Sequence, residues 1–137
     1  MGLKLKKGVR QLLDEAAART RGIKPAEAEA RLGDPDTVFV DIRDLRELER
    51  DGMIPGAFHA PRGMLEFWVD PDSPYYKPVF AEDKTYVLYC AADWRAVLAA
   101  AALADMGLEN VVHLEGGFSE WKKAGRPVGA REPKHKA

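Results

Sequence analysis

One cysteine, Cys90, and three histidines, His59, His113 and His135, are the only thiol and imidazole groups in this 137-residue chain. A lone thiol forms no internal disulfide, so a reducing compartment, the cytoplasm, is the expected location. The same scarcity excludes a centre built from several thiolates, and three scattered histidines make no ligand set; no metal and no other cofactor is expected. Charge of one sign is also missing. The chain has 21 Lys and Arg against 22 Asp and Glu, a net charge of −1. That balance gives no reason to expect nucleic acid or a membrane surface as a partner. No apolar run approaches the roughly 20 residues of a spanning helix. The opening Met1-Gly2-Leu3-Lys4-Leu5-Lys6-Lys7 is basic but lacks the apolar segment of a signal peptide. Lys6 stands where myristoylation asks for Ser or Thr. Gly116-Gly117 lacks the wider glycine pattern of a nucleotide loop and reads instead as a tight turn with close backbone approach.

What is present is an alternation of apolar runs and helical stretches. Val9, Leu12, Leu13 and Ala16 share one face of a helix predicted over 8–20. An edge segment near Ile23 precedes a helix from Pro25 to Leu32. After the turn at 33–36, residues 37–42 form a continuous apolar run, as in a parallel strand covered on both faces. A short charged helix at 44–50 and a turn into a strand at 54–59 follow. Residues 61–82 hold Pro61, Pro71, Pro74 and Pro78 with Phe67, Trp68, Tyr75, Tyr76 and Phe80. So long a connection reads as a satellite apolar cluster, a lid over Cys90 or a dimer surface. Then come a strand at 85–90, a helix at 96–106, a strand at 111–114 and a helix at 118–124. The tail from Arg126 is polar and expected to fray. The alternation predicts an α/β fold, a central mostly parallel sheet flanked by helices, with an N-terminal helical extension.

Cys90 closes the apolar run Thr85-Tyr86-Val87-Leu88-Tyr89. The loop Ala91-Ala92-Asp93-Trp94 follows, and Arg95 opens an alanine-rich helix. Strand, loop and helix put the sulfur at the carboxyl edge of a sheet, near helix amides. A thiol so placed is expected to ionise more readily than a free one. The plainer alternative is a buried cysteine packing as a small apolar residue.

Four stretches in order resemble single-domain rhodaneses, sulfurtransferases of the rhodanese homology family. They are Val40-Asp41-Ile42-Arg43, Gly52-Met53-Ile54-Pro55-Gly56-Ala57, the loop Cys90 to Arg95, and Leu114-Glu115-Gly116-Gly117-Phe118-x-x-Trp121 ending in Gly125-x-Pro127-Val128. The resemblance implies a rhodanese-like domain over 22–128, between a helical extension at 1–21 and a polar tail at 129–137. Met53 departs from the family's usual His, and Asp93 from the Gly of many active members.

The resemblance implies sulfur transfer in two displacements. Cys90 takes a sulfane sulfur from thiosulfate or a related persulfide donor, and cyanide or a thiol then removes it. The partners implied are a small sulfur-containing anion or persulfide and a thiol acceptor, which a protein could supply; a homodimer is compatible. Ala91, Ala92, Asp93, Trp94 and Arg95 form the substrate-binding loop, with Arg95 binding the anion or bracing the loop. Asp93 either opposes an anion there or caps the next helix. Asp41, Arg43 and Glu47 support the site from behind, Arg43 pairing with Glu47 at i, i+4. His59 and His113 are expected to be satisfied structural groups. Two rivals remain. Cysteine phosphatases place Arg six residues after Cys, one more than here. A catalytically weak binding module keeps the fold and uses it for docking.

Overall fold

The computed structural model describes residues 2–131, in the order α1 (Val9–Ala18), β1 (Gly22–Ile23), α2 (Pro25–Glu29), β2 (Thr37–Asp41), α3 (Leu45–Asp51), β3 (Phe58–His59), α4 (Leu65–Val69), β4 (Thr85–Tyr89), α5 (Trp94–Asp105), β5 (Val111–Leu114) and α6 (Gly117–Lys123). The five strands make one sheet in the order β1-β5-β4-β2-β3, and every pairing is parallel. The sheet is thus fully parallel where a mostly parallel one was expected. Each strand end that follows a crossover then lies at the same edge.

The continuous apolar runs are explained by burial on both faces. Val40, Leu88 and Cys90 face one core with Ala96, Ala99, Ala100 and Leu103 of α5. Phe39, Val87 and Tyr89 face the other with Phe118 and Trp121 of α6. Alternate side chains of one strand point to opposite faces, so β2 and β4 feed two cores at once. Alanines on α5 favour the helix and let it lie close to the sheet.

Two expectations change. On α1 only Leu13 and Ala16 pack, against Val97, Leu98 and Ala101 of α5. Val9 and Leu12 remain exposed, because α5 meets only part of the apolar face. The tail does not fray at Arg126. Trp121 Nε1 donates to the Pro127 carbonyl at 2.7 Å, Arg126 pairs with Glu29, and Gly129 and Met53 exchange backbone hydrogen bonds at 2.7 and 2.8 Å. His135 and the remainder of the tail, from 132 onward, lie outside the described residues.

The 61–82 connection contains α4 and two short 3-10 turns, Arg62–Met64 and Pro78–Ala81. Phe58, Trp68, Phe80 and Tyr86 form a chain of aromatic contacts with centroids 5.6–6.0 Å apart. The cluster reading therefore holds for Trp68 and Phe80. Phe67 and Tyr75 meet edge to face on the surface.

Candidate active site

Cys90 is the first residue beyond β4 and is 1% exposed. Ala91, Ala92 and Asp93 follow, and α5 starts at Trp94, one residue earlier than the spacing suggested. The loop is bound from the other side by α6. The Phe118 N–H donates to the Cys90 carbonyl at 2.7 Å, and the Ser119 N–H to the Ala91 carbonyl at 3.0 Å. Gly117 makes this contact possible. Its φ is +63°, and a Cβ there would lie 2.5 Å from the Ala91 carbonyl oxygen. Only a residue without a side chain fits that approach.

Arg95 stands in the first turn of α5 and is held by Glu47. Nη1 and Nη2 donate to the two carboxylate oxygens at 3.0 Å each. This fork-to-fork pair fixes the plane of the guanidinium. Glu47 raises the Arg95 pKa most, burial opposes it, and the neighbouring Cys90 adds a smaller rise. Arg95 thus brings a fixed positive charge to the thiol. In turn Arg95 chiefly holds the Glu47 carboxyl below its ordinary value, against burial.

Arg43 does not pair with Glu47. It lies before α3, outside the helical backbone that would bring i and i+4 together. Glu47 instead completes a capping box with Asp44, accepting from the Asp44 N–H at 3.0 Å. The Arg43 side chain turns inward. Nε and Nη2 donate to Asp41 at 3.0 and 2.7 Å, and Nη2 donates to the Gly52 carbonyl at 2.7 Å. Its guanidinium lies 4.2 Å from the Phe118 ring centroid. Burial works against the charge, but Asp41 outweighs it and the pKa is raised. Tyr89 completes the support: its hydroxyl accepts from the Ile54 N–H at 3.0 Å. Burial first, and then Asp41, push the Tyr89 phenol well above its ordinary value.

Asp93 neither caps α5 nor lies unpaired in the loop. Its φ is 76°, the left-handed region, and it is the one non-glycine residue there among those described. No side-chain capping bond forms. Its carboxylate accepts from Nδ1 of His113 on β5, which lies 3.0 Å from both oxygens. Burial raises the Asp93 pKa, His113 opposes that, and Glu115 adds to it. Trp94 is exposed and borders a groove with Val9 and Leu13 of α1 and Val97 of α5. It does not pack into the core.

The structure brings together Cys90, Asp93, Arg95 and Glu47 around one loop, with Asp41 and Arg43 beneath. Sequence reasoning missed His113 and Tyr89 as partners, and neither left a signal. The close backbone approach read at Gly116-Gly117 is present at Gly117. His59 is satisfied as expected, 2.8 Å from the Arg43 carbonyl. No cluster of three His, Cys, Asp or Glu able to hold a metal occurs among the described residues, and none of their helices is long and apolar enough to cross a membrane.

This chain is 36% identical to the tRNA uridine(34) hydroxylase of Erwinia tasmaniensis over 111 residues, which are 78% of this chain and 30% of that protein. It thus spans about a third of the length of that relative. It is 33% identical to a sulfurtransferase of Allochromatium vinosum over 103 residues, 74% of this chain and 88% of that one. Its fold matches a solved structure from Rhodopseudomonas palustris, described as a protein of unknown function and possible tyrosine phosphatase. The TM-score is 0.90 at 52% identity, covering 93% of this chain and 98% of that one. The rhodanese-like domain family model matches residues 24–124. With that match over most of its length, and a fully parallel sheet whose central strand delivers Cys90 to the Arg95 loop, the chain belongs to the rhodanese-like domain family.

Proposed function

We propose that this protein is a sulfurtransferase that carries a sulfane sulfur on Cys90. The observation that supports it best is the thiol at the end of β4 with the Glu47-braced Arg95 guanidinium beside it. A fixed cation attracts an anionic donor such as thiosulfate and stabilises the charge that develops during transfer. The Cys90 thiolate attacks the outer sulfur of the donor. A new S–S bond forms, the donor's S–S bond breaks, and its electron pair leaves on sulfite or on a thiolate. Cys90 then holds a persulfide. Cyanide or a thiol attacks the outer sulfur, and the pair of the breaking bond returns to Cys90. The two displacements balance without an outside oxidant. Arg95 stabilises the anionic states, Glu47 positions Arg95, and Asp41 with Arg43 holds the loop from below.

Phosphate transfer fits less well. Arg95 is five residues after Cys90, which leaves one residue fewer than the loops that wrap a phosphate. A weakly catalytic binding module draws support from Asp93, which stands at a position many active relatives give to glycine. The carboxylate's engagement with His113 weakens that objection.

Intact-protein mass spectrometry tests the proposal. Thiosulfate or a thiol persulfide should add the mass of one sulfur atom, and dithiothreitol should remove it. Cys90→Ser should take up none. Full transfer to cyanide by Cys90→Ser would sink the proposal, since the chain has no second thiol. Hydrolysis of a phosphate ester with no sulfur uptake would favour the phosphatase.

A further inference from the structure

Sulfur loading by Cys90 and Arg95 leaves unexplained why the loop between them carries a carboxylate. Asp93 is three residues beyond Cys90, so chain length alone keeps their Cα atoms within about 11 Å. That is about one Debye length, and the loop is where an anionic sulfur donor arrives. His113 is opposite Leu88 in register. Leu88 and Cys90 pack on the α5 face of the sheet. Registered neighbours share a face, so the His113 ring stands on the Cys90 side. Strand spacing and rise put its Cα about 8 Å from that of Cys90. Its backbone is fixed between β4 and β1, and its N–H donates to the Arg21 carbonyl at 3.1 Å.

A carboxylate only accepts, so Nδ1 of His113 carries the proton in its 3.0 Å contact with each Asp93 oxygen. Both groups are largely enclosed, their side chains 10% and 16% exposed. The charges acting on Asp93 are those of His113, which favours its ionised form, and Glu115, which opposes it. Those acting on Arg95 are Glu47 and, more weakly, Cys90. Carboxylate and guanidinium therefore leave the loop toward different neighbours, one toward β5 and one toward α3.

We propose that His113 is a positioning residue for sulfur loading: by holding the Asp93 carboxylate on β5, it keeps a negative charge from the loop amides and Arg95, and so admits a doubly charged sulfur donor. The role rests on the sulfur-transfer function proposed above and extends it to the charge of the donor. Without His113, an ionised Asp93 turns to the nearest remaining N–H groups, and these are the ones an arriving anion needs. Repulsion scales with charge, so a dianion loses about twice the free energy that a monoanion does.

The probes are thiosulfate, a dianion, and benzenethiosulfonate, a monoanion, with cyanide as acceptor at pH 8. In either case the Cys90 thiolate takes the outer sulfur, and the pair of the broken S–S bond leaves on sulfite or benzenesulfinate. His113→Leu removes the ring N–H at similar volume. It should lower kcat/KM about fivefold for thiosulfate and about twofold for benzenethiosulfonate, and added salt should narrow the loss. His113→Asn places an amide N–H near the position of Nδ1 and should recover most of it. Asp93→Asn combined with His113→Leu removes the charge and should return the ratio between the two sulfur donors to its wild-type value. His113→Val is the second variant without the ring N–H, for use where His113→Leu does not fold. An equal fall for both sulfur donors, an unmoved kcat/KM, or a loss that Asp93→Asn does not relieve overturns the positioning role. Loss of folding in both His113→Leu and His113→Val also overturns it and leaves the pair to the fold. Absence of sulfur uptake by wild type from either sulfur donor overturns sulfur transfer itself, and the role of His113 with it.

Discussion

Both carboxylate oxygens of Asp93 lie 3.0 Å from Nδ1 of His113, twenty residues further along the chain. The pair ties the end of the Cys90 loop to β5. It also draws a negative charge toward the sheet from a loop proposed to receive an anion. Asp93 sits at φ 76°, where a side chain is strained. The His113 hydrogen bond offsets that strain.

The Asp93 variants should therefore rank in a definite order of stability. Asp93→Asn tolerates the left-handed region and keeps an acceptor for Nδ1–H, so it should stay within about 0.5 kcal/mol of wild type. Asp93→Gly removes the strain but orphans His113, a net loss of about 1 kcal/mol. Asp93→Ala keeps the strain and loses the bond, costing about 2 kcal/mol or more. Urea unfolding midpoints measure the series. Equal midpoints for the alanine and glycine variants would mean that the loop does not hold its positive φ.

Arg95→Ala should lower kcat/KM for thiosulfate by roughly 10- to 150-fold, the worth of one charged hydrogen bond. Arg95→Lys should recover only part of this, because an ammonium cannot reproduce the fork that Glu47 grips. Steady-state kinetics on folded variants decide the point, and an unchanged kcat/KM would return Arg95 to a purely structural pair with Glu47.

Glu47 has an acid signature. Arg95 holds its pKa below the ordinary value of 4.5. A carboxylate depressed in the fold adds stability above its unfolded pKa, and that share is lost as pH falls through the lower folded value. Glu47→Gln should thus melt below wild type at neutral pH, by about 1 kcal/mol of stability. The gap in Tm should close as the pH is taken below 4.5. A gap that persisted in acid would show that shape, not charge, accounts for the contribution.

Gly117→Ala should cost far more than Gly56→Ala. Both glycines have positive φ, but the new Cβ at 117 would lie 2.5 Å from the Ala91 carbonyl oxygen, while at 56 nothing lies within 4 Å. Strain alone costs about 1–2 kcal/mol at Gly56. At Gly117 the backbone clash adds to it and displaces the Cys90 loop. Calorimetry with a sulfur-loading assay should show Gly56→Ala weakened but active, and Gly117→Ala both less stable and impaired in loading. Similar losses at the two positions would contradict the close approach.

Much of the site was legible because its first layer is local. The run from Thr85 to Cys90 announces a strand buried on both faces, and the alanines after Arg95 announce a helix. A strand, a short loop and a helix put Cys90 at the sheet edge whatever the rest of the chain does. The short charged helix at 44–50 and the strand at 111–114 were equally local, since each depends on residues within one helix or one strand.

Pairings across the fold were not legible. Arg43 and Glu47 have the right spacing for a helical pair, yet Arg43 precedes the helix and finds Asp41 instead. Glu47 meets Arg95 across 48 positions of sequence. That meeting exists only because β4 lies beside β2, which sets α3 next to the Cys90 loop. His113 is opposite Leu88 in register, so its ring can reach Asp93 just past the end of β4. The clasp of Gly129 on Met53 likewise joins segments with no common periodicity. Hydrophobic spacing along a chain determines which residues are buried and where elements start. Strand order and register decide which distant polar groups then share a site, because they set which strand ends and helix starts lie side by side.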